Sequence, residues 1–216
     1  MEQTLKFIYM GALLASAVTA IIYRRRLAAW NLSIMTFYLP LVFIMEVYTG
    51  SLLSKGVPTA PIYNIYRPVT VLVFAIMYYS LPPMVRFRKW IIGIIILYLL
   101  AVPITYFYFD SFNNSNTYLT LARGICITFF GIFFLMSFLL LDNTTQEKFW
   151  RPVIWVTIGV LIFYPVISIA LGLEELLRNS GATIGGLKLY QAIPRLMSIF
   201  MYSCFSYAFY ICKTKS

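Results

Sequence analysis

Seven long apolar stretches, separated by short polar segments, dominate the pattern of hydrophobic and polar positions along the chain. Each stretch is close to the about 20 residues that an α-helix needs to cross a bilayer core. The stretches, called spans 1 to 7 below, cover residues 5–23, 32–53, 61–81, 90–109, 118–141, 152–173 and 189–212. The pattern predicts an all-α polytopic membrane protein with seven transmembrane helices in a single domain over residues 1–216.

Composition agrees with this prediction. Of the 216 residues, 61% are hydrophobic and 11% are charged, and the mean hydropathy is +0.83. A soluble domain carries about 25% charged residues. Span 1 is not expected to be a cleaved signal, because its basic cluster at residues 24–26 follows the apolar stretch and does not precede it.

The formal net charge of +10 comes from basic residues that flank the spans. Alternate connections divide them ten against four, which predicts an N-terminus outside and a C-terminus in the cytoplasm. A nucleic-acid partner is not expected, because the basic residues do not gather with aromatic residues on a folded surface. The basic cytoplasmic loops are expected to contact anionic lipids first and a cytoplasmic protein partner second. Association with further copies of the chain is left open.

Two parts of the sequence resemble each other, which indicates an internal duplication. Span 3 opens with IYNIYRP at 62–68 and span 7 with LYQAIPR at 189–195, while FYLP at 37–40 corresponds to FYP at 163–165. A repeat of spans 1–3 as spans 5–7, with span 4 as linker, would be the parallel 3+1+3 type found in transporters. Chance matching of aromatic-rich helices is the alternative.

Four charged residues fall inside the spans at one depth, about 9 Å below the predicted outer surface at 1.5 Å per residue. They are Glu46, Arg67, Arg123 and Arg195. Membrane charges usually face the bundle interior and pair, so we expect three arginines around one glutamate. Asn64 and Gln191 lie at neighbouring depth. All six are candidate ligand-binding residues.

The excess of positive charge in this layer has several explanations. An outward-facing pocket could bind an anion such as a carboxylate or phosphate through forked guanidinium groups. The arginines could also form a structural lock with Glu46, hold a lipid phosphate, or extend to the outer headgroups. The sequence leaves these alternatives open.

Enzymatic chemistry is not expected. The chain has no histidine, which removes the zinc-dependent intramembrane hydrolases, the Ser-His proteases and the histidine-ligated haem bundles. Asp110 and Asp142 are placed at opposite surfaces, so a two-aspartate protease is not expected either. No cofactor or metal is predicted, and the odd count of three cysteines gives no disulfide framework.

Two resemblances to known families follow from these features. The seven predicted helices with an outside N-terminus and a 3+1+3 pattern resemble PQ-loop and SWEET transporters, although Pro40 precedes Leu41 and Pro165 precedes Val166, so the Pro-Gln dipeptide is absent. Glu46 followed by YNIY at 63–66 resembles small bacterial seven-helix proteins. That second resemblance implies an input domain of a signalling kinase or an accessory protein of a regulatory or anti-phage locus.

Three functions therefore remain. The chain is expected to be a non-enzymatic regulatory module, either sensor or effector, that acts through the Arg/Glu layer and the basic loops. Transport of a small solute is the first alternative. Formation of an oligomeric pore is the second, although no span carries a polar stripe along its full length.

Overall fold

The computed structural model describes residues 2–108, 116–140, 144–173, 183–184 and 187–212, and the side chains at 2, 144–150, 171–172, 184, 187 and 190–191 lie outside this description. Apart from a two-residue antiparallel pair and one 3₁₀ helix, the described elements are α-helices. The helices are α1 Glu2–Ile22, α2 Arg24–Ala29, α3 Ile34–Ser54, α4 Ala60–Ser80, α5 Arg88–Tyr108, α6 Thr117–Leu139, α7 Thr144–Gly172 and α8 Leu189–Ile211; the 3₁₀ helix covers Pro82–Phe87, and the strands are β1 Thr183–Ile184 and β2 Leu187–Lys188.

Six of the described helices are long and apolar enough to cross a membrane, which confirms the all-α, multi-span character predicted from sequence. They correspond to spans 1–6. Helix α8, at the position of span 7, is 23 residues long but contains Arg195 and several serines and tyrosines, so it is not among the six. The short helix α2 and the 3₁₀ helix were not predicted.

The long helices form a closed ring. The order of helices around the ring is α1, α3, α4, α6, α7 and α8, and α8 contacts α1 to close it. Helix α5 lies outside this ring, against α4 and α6. Large buried side chains from opposite walls meet in the interior, where the Phe74 and Tyr164 rings make an edge contact at 5.7 Å between centroids.

Glycines allow the last three helices to approach closely. A Cβ added to Gly159 of α7 would lie 3.1 Å from Cys204 Cβ and 3.3 Å from the Met201 carbonyl oxygen of α8. A Cβ at Gly124 of α6 would overlap the Ser168 hydroxyl of α7. Small residues at such contacts let the helix backbones pack closely. Their positions therefore set the spacing of α6, α7 and α8.

One hydrogen bond crosses the apolar interior between α4 and α7. The Tyr78 hydroxyl donates to Thr157 Oγ1 at 3.2 Å, and both residues are fully buried. Removing one partner leaves the other polar group buried without a hydrogen bond, which costs stability, whereas replacing both partners by apolar groups is nearly neutral. We expect Tyr78→Phe to cost about 1 kcal/mol of unfolding free energy. The double variant Tyr78→Phe/Thr157→Val should recover most of it in thermal unfolding. Additive losses in the double variant would contradict the bond.

Most of the described basic residues outside the spans gather at one end of the ring. The exposed residues 24–26 of α2 lie there, with Arg86 of the 3₁₀ helix and Lys89 at the start of α5. Three contacts bring the helix ends together: the rings of Tyr23 and Tyr210 lie 6.4 Å apart, Ser80 Oγ donates to the Asn31 carbonyl at 3.4 Å, and Ser137 Oγ donates to Met84 Sδ at 3.6 Å. We call this end the basic end. Glu46 lies toward the opposite end.

Candidate functional site

Helix α4 presents one polar face to the interior. Asn64, Arg67 and Thr70 follow one another at intervals of three residues, which places them on the same side of a helix. Asn64 is 1% exposed and Arg67 is 7% exposed. Arg67 Nη1 donates a hydrogen bond to Asn64 Oδ1. The buried cation is thus held by a neutral acceptor from its own helix.

Helix α5 contributes two tyrosines to the surroundings of Arg67. Tyr106 donates to the backbone carbonyl of Asn64 at 3.4 Å and also hydrogen-bonds to the Arg67 side chain. Tyr98 is 2% exposed and lies within electrostatic range of both Arg67 and Arg123. Its hydroxyl makes no hydrogen bond with the described residues. These contacts explain why α5 is held against α4 although it lies outside the ring.

Helix α6 brings a second arginine close to the first. Arg123 lies within electrostatic range of Arg67, and its guanidinium carbon lies 5.9 Å from the centre of the Tyr164 ring. The Arg123 Nε atom is buried and makes no hydrogen bond with the described residues. We call Asn64, Arg67, Tyr98, Tyr106 and Arg123 the arginine cluster. It combines two cations with hydroxyl and amide groups.

A chain of hydroxyl groups continues from the arginine cluster toward α3. The Tyr38 and Tyr66 hydroxyl oxygens lie 2.6 Å apart, and Tyr38 also donates to Thr70 Oγ1 at 3.4 Å. Thr70 in turn donates to the Tyr66 carbonyl at 2.9 Å. The ring of Tyr164 of α7 approaches this chain through Phe74, which makes edge contacts with both Tyr38 and Tyr164. Buried polar groups in contact of this kind fix one arrangement of the helices that carry them.

The Glu46 end contains a cavity of about 420 Å³ between α1, α3, α4 and α8. The charged residues in its lining are Glu46 of α3, Lys6 of α1 and Arg195 of α8. The Glu46 carboxylate accepts from Tyr63 at 3.4 Å, and Tyr9 lines the same cavity. We call this the Glu46 cavity. It holds both signs of charge beside apolar walls, as small-molecule sites do.

A hydroxyl pair forms part of the wall of the Glu46 cavity. Thr49 Oγ1 lies 3.3 Å from the Tyr63 hydroxyl and donates to the Glu46 backbone carbonyl at 3.2 Å. Gly50 lies beside Lys6, since a Cβ there would be 3.9 Å from the ammonium nitrogen. The Glu46 carboxylate is therefore oriented by hydroxyl groups and lies in the field of an exposed lysine.

Five of the six residues predicted from sequence are described, and they belong to two groups. Asn64, Arg67 and Arg123 belong to the arginine cluster, whereas Glu46 and Arg195 line the Glu46 cavity. The ring of three arginines around Glu46 stays a prediction. The side chain of Gln191 lies outside the described residues. Whether any of the six binds a ligand stays a prediction.

Three tyrosines of the two sites, Tyr9, Tyr98 and Tyr106, were missed as functional candidates. They do not differ in sequence from the many tyrosines that line membrane interfaces. Helical spacing could have identified one of them, since Tyr98 lies eight residues before Tyr106 on the same face of α5. The described residues contain no group of three metal-binding side chains.

Comparison with protein-family models, with curated proteins and with solved structures found no match to this chain. The two family resemblances therefore remain predictions. The function has to be argued from the geometry of the two sites.

Proposed function

We propose that the chain is a seven-helix inner-membrane protein in which α8 is the seventh span. Helix α8 packs along α1 and α7, and its 23 residues are enough to cross a bilayer core. The proposed orientation places the basic end in the cytoplasm and the Glu46 cavity outside. The described residues 24–26, Arg86 and Lys89 at one end support this orientation through the positive-inside rule.

The order of helices around the ring supports the 3+1+3 repeat. Helices α1, α3 and α4 form one unit, and α6, α7 and α8 form the other, while α5 lies outside as the linker. The two junctions between units are equivalent, because α4 contacts α6 and α8 contacts α1. Tyr38 and Tyr164, which precede the corresponding prolines, both make edge contacts with the Phe74 ring.

The proposed function is that of a non-enzymatic regulatory module that binds a small polar ligand in the Glu46 cavity. The observation that carries this proposal is the charged lining, with Glu46, Lys6 and Arg195 around about 420 Å³. Such a lining suits a small zwitterion whose ammonium group faces Glu46 and whose carboxylate or phosphate faces the two cations. A ligand there would touch four helices at once.

The packing between the cavity and the basic end favours binding over passage. Phe74, Tyr78, Phe130 and Phe134 are fully buried and fill the interior on the side of the basic end. A transport path would have to displace these rings. A bound ligand would instead change the spacing of α1, α3, α4 and α8. The helices would carry this movement to the basic loops, since packed elements transmit discrete shifts.

Thermal unfolding of the purified protein in detergent, with a panel of glycine, taurine, glycine betaine and phosphoethanolamine, tests the proposal. At least one zwitterion is expected to raise the melting temperature by about 5 °C at saturation. Glu46→Gln should abolish this rise. Lys89→Gln, which removes an exposed charge at the basic end, is the matched control and should keep it.

No rise with any member of the panel, or an equal rise in both variants, would contradict the proposal. Proteoliposomes then separate the functions. Uptake of the stabilising compound, supplied in radiolabelled form, would indicate transport, and leakage of ions from the same vesicles would indicate a pore. Stabilisation without uptake or leakage is expected for a regulatory module.

A further inference from the structure

Two buried polar atoms of the arginine cluster have no hydrogen-bond partner among the described residues. A guanidinium group has five N–H donors and no acceptor. Arg67 uses Asn64 Oδ1 and the Tyr106 hydroxyl as partners. The buried Nε of Arg123 and the buried hydroxyl of Tyr98 make no hydrogen bond with the described residues. Helices α5 and α6 thus each contribute one unsatisfied polar atom, on two groups that lie within electrostatic range of each other.

Unsatisfied buried polar atoms are rare in folded proteins, and each has a physical reason. Here the two atoms belong to groups that lie within electrostatic range of each other and of Arg67. A cationic donor beside a second cation is unfavourable, since like charges repel and are poorly screened away from water. An acceptor that carries negative charge would satisfy the donors and offset the repulsion together.

We propose that the arginine cluster binds a monatomic inorganic anion, such as chloride, between α4, α5 and α6. The site would be formed by the Arg67 and Arg123 guanidinium groups and the Tyr98 hydroxyl. A spherical ion accepts hydrogen bonds from any direction, so it suits donors that arrive from three helices. The near-complete burial of Arg67 and Tyr98 favours a small ion over a lipid phosphate.

This site is separate from the Glu46 cavity and does not depend on the function proposed there. None of its residues lines that cavity, whose charged lining is Glu46, Lys6 and Arg195. Its role would be to complete the packing of α5 against the ring. Binding of chloride should therefore stabilise the folded protein whether or not the Glu46 cavity binds a zwitterion.

Thermal unfolding at constant ionic strength, with chloride replacing gluconate, tests the proposal. The melting temperature of the unaltered protein is expected to rise by about 5 °C and to saturate. Bromide should act like chloride. Tyr98→Phe removes one hydroxyl with little change in shape, and Arg123→Gln removes one charge; both should reduce the rise to less than half.

Tyr78→Phe is the matched control, because it removes another buried hydroxyl, on α4 beyond the cluster. Its melting temperature should be lower at every concentration, but the chloride-dependent rise should persist. An equal rise in gluconate, a rise with inorganic phosphate but not with chloride, or an unchanged rise in Tyr98→Phe would overturn the proposal. Crystals soaked in bromide should give an anomalous peak near Arg123 Nε, and its absence there would also count against the site.

Discussion

Replacing Asn64 by leucine is expected to lower the melting temperature by about 6 °C, which corresponds to about 2 kcal/mol of unfolding free energy. The substitution removes the side-chain acceptor of Arg67 while the guanidinium group remains buried. A buried charge that loses a hydrogen-bond partner bears the cost of its desolvation. The measurement is thermal unfolding in detergent. Size-exclusion chromatography checks that the variant is monodisperse.

Asn64→Asp is the informative counterpart, because it keeps the shape and changes the charge. A carboxylate at this position would lie beside Arg67 and near Arg123, so the melting temperature should equal or exceed that of the unaltered protein. The carboxylate should also make stability independent of chloride, since it supplies the negative charge from within the chain. If leucine and aspartate lower stability equally, the cluster is not short of negative charge.

Replacing Gly159 by valine is expected to lower the melting temperature by about 6 °C, from an overpacking cost of about 2 kcal/mol. The first added carbon would already meet Cys204 Cβ at 3.1 Å and the Met201 carbonyl oxygen at 3.3 Å. Neither atom is the free end of a flexible side chain. Helices α7 and α8 would have to separate along their contact.

Gly93→Val on α5 is the control for this prediction. A Cβ at Gly93 meets nothing within 4 Å, so the substitution should change the melting temperature by less than about 2 °C. An equal loss at both positions would mean that valine is harmful through helix propensity alone. A smaller loss at Gly159 than at Gly93 would contradict the close packing of α7 against α8.

Apolar length predicted the helices well, because a bilayer crossing demands about 20 consecutive apolar residues whatever their packing. Six predicted spans coincide with described helices to within a few residues at most ends. The exception is α7, which begins at Thr144 and passes through Pro152. The sequence pattern predicts that this span starts at Pro152, whereas the helix begins at Thr144, before the proline.

Depth along a helix predicted that Arg67 and Arg123 would lie in one layer, but it could not predict their partners. Partners depend on how each helix is rotated about its axis, and the sequence of a helix that is apolar on most sides leaves that rotation open. Asn64 was predicted because it is polar and lies at a depth neighbouring that of the charged residues. Tyr98 and Tyr106 were not, because their hydroxyl groups face the cluster only through the position of α5.

The hydrogen bond between Asn64 and Arg67 also bears on how the protein reaches its membrane. Both residues lie on α4, one turn apart, so the bond forms as soon as that segment becomes helical. Helix α4 therefore carries a partner for its own arginine during insertion, before α5 and α6 have left the ribosome. Arg123 has no amide or carboxylate side chain one turn away, since Leu119, Thr120, Cys126 and Ile127 occupy those positions.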